Sequence, residues 1–143
     1  MLQLVDRFNR MFDNPDFGLL LLRVAFAGMM LFHGVHKLMA GVGGIEGMLQ
    51  AQGLPAFIAY GVYVGEVIAP VLMILGILTR PSALIFSFTM IVAWLMTGPG
   101  NITALNPKTG AWAVEHIMVF FFAGIAILYT GAGRYALGGQ RWS

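Results

Sequence analysis

The amino-acid sequence predicts an all-α integral membrane protein, a four-helix bundle with a short amphipathic N-terminal helix. Of its 143 residues 59% are hydrophobic and only 10% charged, with a mean hydropathy of +0.82, whereas a water-soluble domain carries about 25% charge. Four apolar segments each approach the roughly 20 residues that a helix needs to cross a bilayer. Together they use up most of the chain, so residues 1–143 are expected to form a single membrane domain.

Residues 1–16 do not read as a cleavable signal peptide, because Asp6, Asp13, Asp16 and two arginines interrupt any apolar run. Leu4, Val5, Phe8, Met11 and Phe12 instead recur at helical spacing between Asp6, Arg7, Asn9 and Arg10. That pattern predicts an amphipathic helix on the membrane surface. Asn14-Pro15-Asp16 breaks it and offers capping oxygens to the next helix.

The four spans are predicted at residues 17–39, 56–78, 81–97 and 112–130. The Gly-rich link from Ala40 to Pro55 carries Ile45, Met48 and Leu49 at helical spacing, which predicts a short interfacial helix. Thr79-Arg80-Pro81 is so short that the second and third spans must be antiparallel neighbours. Gly98 to Ala111, with two prolines and three glycines, reads as a polar loop.

With no cysteine the chain can form no disulfide, thiolate metal site or CxxC redox centre of its own. The net charge of +2 comes from scattered cations with no basic run suited to nucleic acid. Arg7, Arg10, Arg80, Arg134 and Arg141 fall on the side that holds both termini, against Lys37 and Lys108 on the other. Positive residues stay inside, so both termini are expected in the cytoplasm of a bacterial inner (cytoplasmic) membrane.

A charge at mid-bilayer costs about 2.5 to 3.5 kcal/mol on insertion scales, so each ionisable residue within a span needs a reason. At 1.5 Å of rise per residue, Glu66 falls roughly at the midplane, His33 and His116 about 8 Å and Glu115 about 9 Å outside it, and Arg23 about 8 Å inside. His36 and Lys37 lie further out. Arg23, Gly34 and Lys37 share one face of the first span, with His33 on its flank. Pro70 stands four residues after Glu66 and deprives the Glu66 carbonyl of its helical donor, which predicts a kink beside a carboxylate.

Several readings of these residues compete. Arg23 and Glu66 could form a structural ion pair that fixes helix register. Lys37 is expected to snorkel to the outer interface, and His36 to be solvated. Glu115-His116, facing His33 at similar depth, points instead to a functional cavity. A metal site at His33, His36, Glu115 and His116 is not favoured, because the Glu-x-x-His pair of di-iron bundles is absent. Haem would need axial His or Met, but the ten methionines read as packing residues. Tyr60, Tyr63, Trp94, Trp112 and Phe120 to Phe122 could wall a quinone pocket or form aromatic belts.

Three stretches in order resemble the DoxX family of small four-helix membrane proteins. They are Leu22-Arg23 through Gly34-Val35-His36-Lys37, Gly65-Glu66 through Leu75-Gly76-Ile77-Leu78-Thr79-Arg80-Pro81-Ser82-Ala83, and Thr130-Gly131-Ala132-Gly133-Arg134-Tyr135-Ala136-Leu137. Gly138-Gly139 and the Glu115-His116 pair depart from the family pattern. The resemblance implies association with quinone-linked oxidation of sulfur compounds, with quinol oxidase complexes, or with complexes that protect against oxidative or thiol stress.

The leading expectation is therefore a subunit of a membrane redox complex that binds a quinone in the outer half of the bundle. Glu66 and His116 are the expected catalytic residues, exchanging protons with the carrier, His being suited by its pKa near 6.5. Arg23, His33 and Glu115 are the expected cofactor-binding residues: Arg23 balances Glu66, and Glu115 orients His116 or His33. No metal is expected. The expected partners are the lipid bilayer and a second copy or another redox protein, with no nucleic acid. A small-molecule permease and a non-catalytic scaffold for a soluble oxidoreductase are the alternatives.

Overall fold

The structure, a computed structural model, describes residues 2–139; Arg141 of the charge count lies outside them. Among the described residues six helices follow one another, α1 (Leu2–Phe12), α2 (Pro15–Ala40), α3 (Gly43–Ala51), α4 (Ala56–Leu75), α5 (Thr79–Thr97) and α6 (Glu115–Thr130), with a short 3-10 segment at Pro99–Thr103 between the last two. Among the described residues there is no strand, only an isolated antiparallel bridge between Leu105 and Trp112. The all-α class is as predicted.

Every residue of α1 is exposed, and only Asp13 and Asn14 separate it from α2. The Asn14 side chain accepts from the Phe17 N–H at 3.1 Å, and Pro15 sits where its missing donor costs nothing. Helix α2 runs to Ala40 and stops at Gly41, whose φ of +82° suits a residue without a Cβ. Its buried residues Arg23, Ala27, Met30 and Gly34 step by four, three and four. They form one stripe, as helical geometry requires.

Helix α4 is not a regular span. It opens as a 3-10 turn at Ala56–Tyr60, makes one α turn at Gly61–Tyr63, widens to a π-helix at Val64–Ile68 and closes as α-helix from Ala69 to Leu75. In the wide segment the Ala69 N–H reaches back to the Val64 carbonyl, five residues away. The kink expected from Pro70 takes this form: the helix absorbs the missing donor by inserting an extra residue into the turn before it.

Three helix ends differ from the predicted bounds. The second span ends at Leu75, and the turn is Gly76 to Leu78, with both Gly76 (φ +71°) and Leu78 (φ +47°) left-handed. Thr79-Arg80-Pro81 is the first turn of α5, because proline fits a helix start as well as a turn. The helix expected from residue 112 begins at Glu115, since Trp112 is held by the bridge and by its indole N–H to the Ile102 carbonyl at 2.6 Å. Helices α2, α4 and α5 are long and apolar enough to cross a membrane, while α6 has 16 residues, about 24 Å of rise.

The packing is cyclic: α4 lies on α2 and α5, α5 lies along α6, and α6 returns to α2. Ala27, Met30, Met73, Ala83, Phe86, Met90, Ile117 and Ile127 from these four helices make the core. A Cβ on Gly124 would meet Phe86 at 2.9 Å, so glycine lets α6 approach α5 closely. Large apolar side chains such as Phe32 (79% exposed), Phe88 (64%) and Phe122 (60%) cover the outside. Apolar exposure on this scale fits a surface solvated by lipid rather than by water.

At the end where α2 begins, residues 131–139 strap across the bundle. The Leu137 and Gly138 N–H groups donate to the Leu75 and Gly76 carbonyls at 3.0 and 3.2 Å, and the Arg134 N–H donates to Asp16 Oδ1 at 2.9 Å. Arg80 caps α6 through the Leu128 and Tyr129 carbonyls at 2.8 and 3.0 Å.

Candidate functional site

Glu66 lies in the π segment of α4 with its side chain 6% exposed, and Lys37 Nζ stands 2.5 Å from both of its carboxylate oxygens. Small residues make the approach possible. A Cβ at Gly34 of α2 would meet the Glu66 carbonyl carbon and Val67 Cγ2 at 2.7 Å, so only glycine lets the Glu66 backbone lie against α2. On the other side, a Cβ at Gly65 would meet Thr89 Cβ of α5 at 2.7 Å. The carbonyl freed by Pro70 thus packs on Gly34. The Lys37 carbonyl in turn accepts from the Tyr63 hydroxyl at 3.2 Å and the Gly41 N–H at 2.8 Å, which ties the end of α2 to α4.

This geometry corrects the expected Arg23–Glu66 pairing. Glu66 meets α2 at Gly34, eleven residues beyond Arg23, which is about 16 Å along the helix. No arginine side chain spans that. The level also differs from the expected midplane, since Gly34 stands about 10 Å beyond the middle of α2. Glu66 still stands midway along α4, so α2 and α4 meet with their middles offset. Lys37, expected to snorkel outward, turns inward instead, since a carboxylate out of solvent is a stronger attraction than the interface.

Arg23 is buried, 1% exposed, and donates to the carbonyls of Met73 (2.8 Å), Ile74 and Tyr135. Those carbonyls belong to the last turn of α4 and to the strap. A guanidinium presents several donors in a fixed fork, so one residue satisfies three acceptors from two segments.

Glu66 and Lys37 border a cavity of about 410 Å³ between α3, α4 and α5. Its walls are apolar, with Met48, Leu49, Val62, Val92 and Met96 among them, and Thr89 is the nearest further polar group to the α4–α5 contact. Val64, Ile85 and Phe88 contribute to the rim and are 41%, 40% and 64% exposed, so the cavity meets the lipid-facing surface between α4 and α5.

The remaining predicted residues lie elsewhere. Glu115 and His116 line a second cavity, of about 400 Å³, between α2, α6 and residues 106–113. His33 is exposed and sits edge-on to Phe120 at 6.3 Å, and His36 is exposed. The expected single outer cluster is therefore two separate places, with Glu66 in one and His116 in the other. Among the described residues no three His, Asp or Glu side chains gather as metal ligands would. The residue missed by sequence reasoning is the Glu66 partner, Lys37. Its place one turn from Gly34 on the polar face of α2 was the available signal.

The DoxX family model matches residues 18–99, which hold most of α2 and the whole of α3, α4 and α5. A Haemophilus influenzae "Uncharacterized protein" is 30% identical over 119 residues, covering 81% of this chain and 84% of the relative. The Bacillus subtilis "Putative oxidoreductase CatD" is 37% identical over 81 residues, and the match spans 54% of this chain and 58% of that protein. No solved structure matches.

Proposed function

The chain belongs to the DoxX family of membrane proteins, and from that premise we propose that it is the quinone-binding subunit of a membrane redox complex, with the Lys37–Glu66 pair as the polar end of the site. The observation that carries this reading is an ion pair at the edge of an apolar cavity that opens between α4 and α5. A lipid-soluble carrier with a polar ring and an apolar tail would fit such a place: the tail would lie against the aliphatic walls, and Lys37 and Glu66 would hold the ring. A bound quinone supplies a couple that takes up or releases two electrons and two protons.

The chain's own residues have definite parts to play. With a quinone bound, the Lys37 ammonium would donate a hydrogen bond to a ring carbonyl oxygen while still facing Glu66. The Glu66 carboxylate would serve as proton acceptor or donor. Tyr63, through the Lys37 carbonyl, positions the last turn of α2. Arg23 holds the strap at the other end of the bundle and has no part in proton exchange, and His116 is not assigned to this cavity. Another redox protein of the complex would deliver or take the electrons.

The name of the Bacillus relative, a putative oxidoreductase, supports this reading over a permease or a bare scaffold. The cation distribution supports an inner-membrane orientation with α1 and the strap on the cytoplasmic side. Arg7, Arg10, Arg80 and Arg134 belong to that end. At the other end Lys37 is neutralised by Glu66, which leaves Lys108.

The test is extraction of lipid-soluble quinone from the purified full chain. Wild-type protein is expected to carry it, and Glu66→Gln and Lys37→Met to lose it while keeping their helical circular dichroism. No quinone in any preparation, with no effect of added quinone on thermal stability, overturns the proposal.

A further inference from the structure

We propose that the second cavity, between α2, α6 and the loop before α6, is a binding site for an organic cation: a primary or quaternary ammonium carried on an apolar body. Three features of the recess lead there. Phe26 and Met29 of α2, Trp112 of the loop and Phe120 of α6 line it, so its walls are aromatic and polarisable. Glu115 lines it too, and among the described residues this carboxylate has no ion-pair partner. Its other polar side chains are Asn106 and His116, and no lysine or arginine is among the lining residues.

An aromatic face attracts a cation through its quadrupole, indole most strongly, and a carboxylate at the same site adds a full opposite charge. The contrast with the first cavity is direct. There the carboxylate already faces an ammonium of the chain, whereas here the corresponding position is left to a ligand.

The walls are held in place before any ligand arrives. The Trp112 indole is anchored by its N–H to the Ile102 carbonyl, and its backbone by the bridge to Leu105. Phe120 is fixed edge-on between Phe26 at 5.9 Å and His33 at 6.3 Å, with Phe86 behind it at 6.2 Å. Binding therefore needs little ordering of side chains. Glu115 is the first residue of α6, so it is the full charge of its carboxylate, and not the positive end of the helix dipole, that draws the cation, while the apolar body of the ligand runs along Phe120 and Val119. The ammonium of an outer-leaflet lipid headgroup and a free amphiphilic cation share this chemistry.

The test uses the full chain in nanodiscs of phosphatidylglycerol at high salt, which suppresses surface adsorption, titrated calorimetrically with benzyltriethylammonium. Saturable one-to-one binding is expected. It should weaken by about tenfold or more in Glu115→Gln, which removes the Coulombic attraction between the carboxylate and a quaternary nitrogen that has no N–H to donate. Trp112→Leu should weaken it severalfold if that variant folds, but the Glu115→Gln result decides by itself.

If phosphatidylethanolamine replaces half of the lipid and competes, the natural occupant is a lipid headgroup. If it does not compete, the occupant is a free cation. Absence of saturable binding, unchanged affinity in Glu115→Gln, or equal binding of the probe's uncharged carbon isostere overturns the proposal. None of these outcomes bears on Glu66, so quinone extraction from the same preparations succeeds or fails separately.

Discussion

The Lys37–Glu66 pair makes an asymmetric prediction about stability. Removing one partner of a buried pair leaves an uncompensated charge and costs roughly 3 to 5 kcal/mol, while replacing both with apolar groups is often neutral. The two sides differ in exposure, Lys37 at 28% and Glu66 at 6%. Lys37→Met strands a carboxylate that has almost no solvent. That variant should lose about 3 kcal/mol, the lower end of the range for a broken buried pair. Glu66→Leu strands an ammonium on a long stem that can turn outward to the interface, so the loss should be nearer 1 to 2 kcal/mol, below the range for a pair with no escape. The double variant should fall within about 1 kcal/mol of wild type, giving a coupling of several kcal/mol in the cycle. Equilibrium unfolding of purified protein by SDS in mixed micelles, followed by circular dichroism, measures all four corners. Additive losses, or a Glu66→Leu variant less stable than Lys37→Met, would refute the reasoning.

Arg23→Leu should cost at least about 3 kcal/mol, because the carbonyls of Met73, Ile74 and Tyr135 lose a donor at once and each buried unsatisfied group costs roughly 1 to 3 kcal/mol. In the same SDS unfolding assay, Arg23→Leu and Glu66→Leu should be additive, as sites well over 10 Å apart usually are; coupling above 1 kcal/mol would contradict the separation described here. Gly34→Ala should cost about 1 to 3 kcal/mol, the range for overpacking, since its Cβ meets backbone that cannot step aside; an unchanged unfolding midpoint would show that α2 and α4 are further apart. Because the chain has no cysteine, single cysteines report topology cleanly. Lys108→Cys should react with a membrane-impermeant maleimide in intact cells and Arg134→Cys only after permeabilisation, and the reverse pattern would invert the orientation.

Local and compositional features were legible in the sequence. Its low charge and long apolar segments sufficed for a helical membrane protein, because a backbone in lipid has to satisfy its own hydrogen bonds within each segment. Asn14-Pro15 announced the start of α2 and the spacing of Leu4, Phe8, Met11 and Phe12 announced α1, since capping and amphipathicity depend only on near neighbours. Glu66 could be singled out because a carboxylate in an apolar run is costly wherever the run packs.

Which cation answers Glu66 was decided only in three dimensions. The π-helix of α4 and the glycine contact at Gly34 set the level at which α2 and α4 meet, and that level brings Lys37 to the carboxylate and leaves Arg23 with carbonyls. A depth counted at 1.5 Å per residue along each helix cannot foresee how far the middles of two packed helices are offset. The separation of Glu66 from His116 into two cavities has the same origin. Depth along one helix is local information, whereas the side of the bundle a residue faces depends on the packing of helices far apart in the chain.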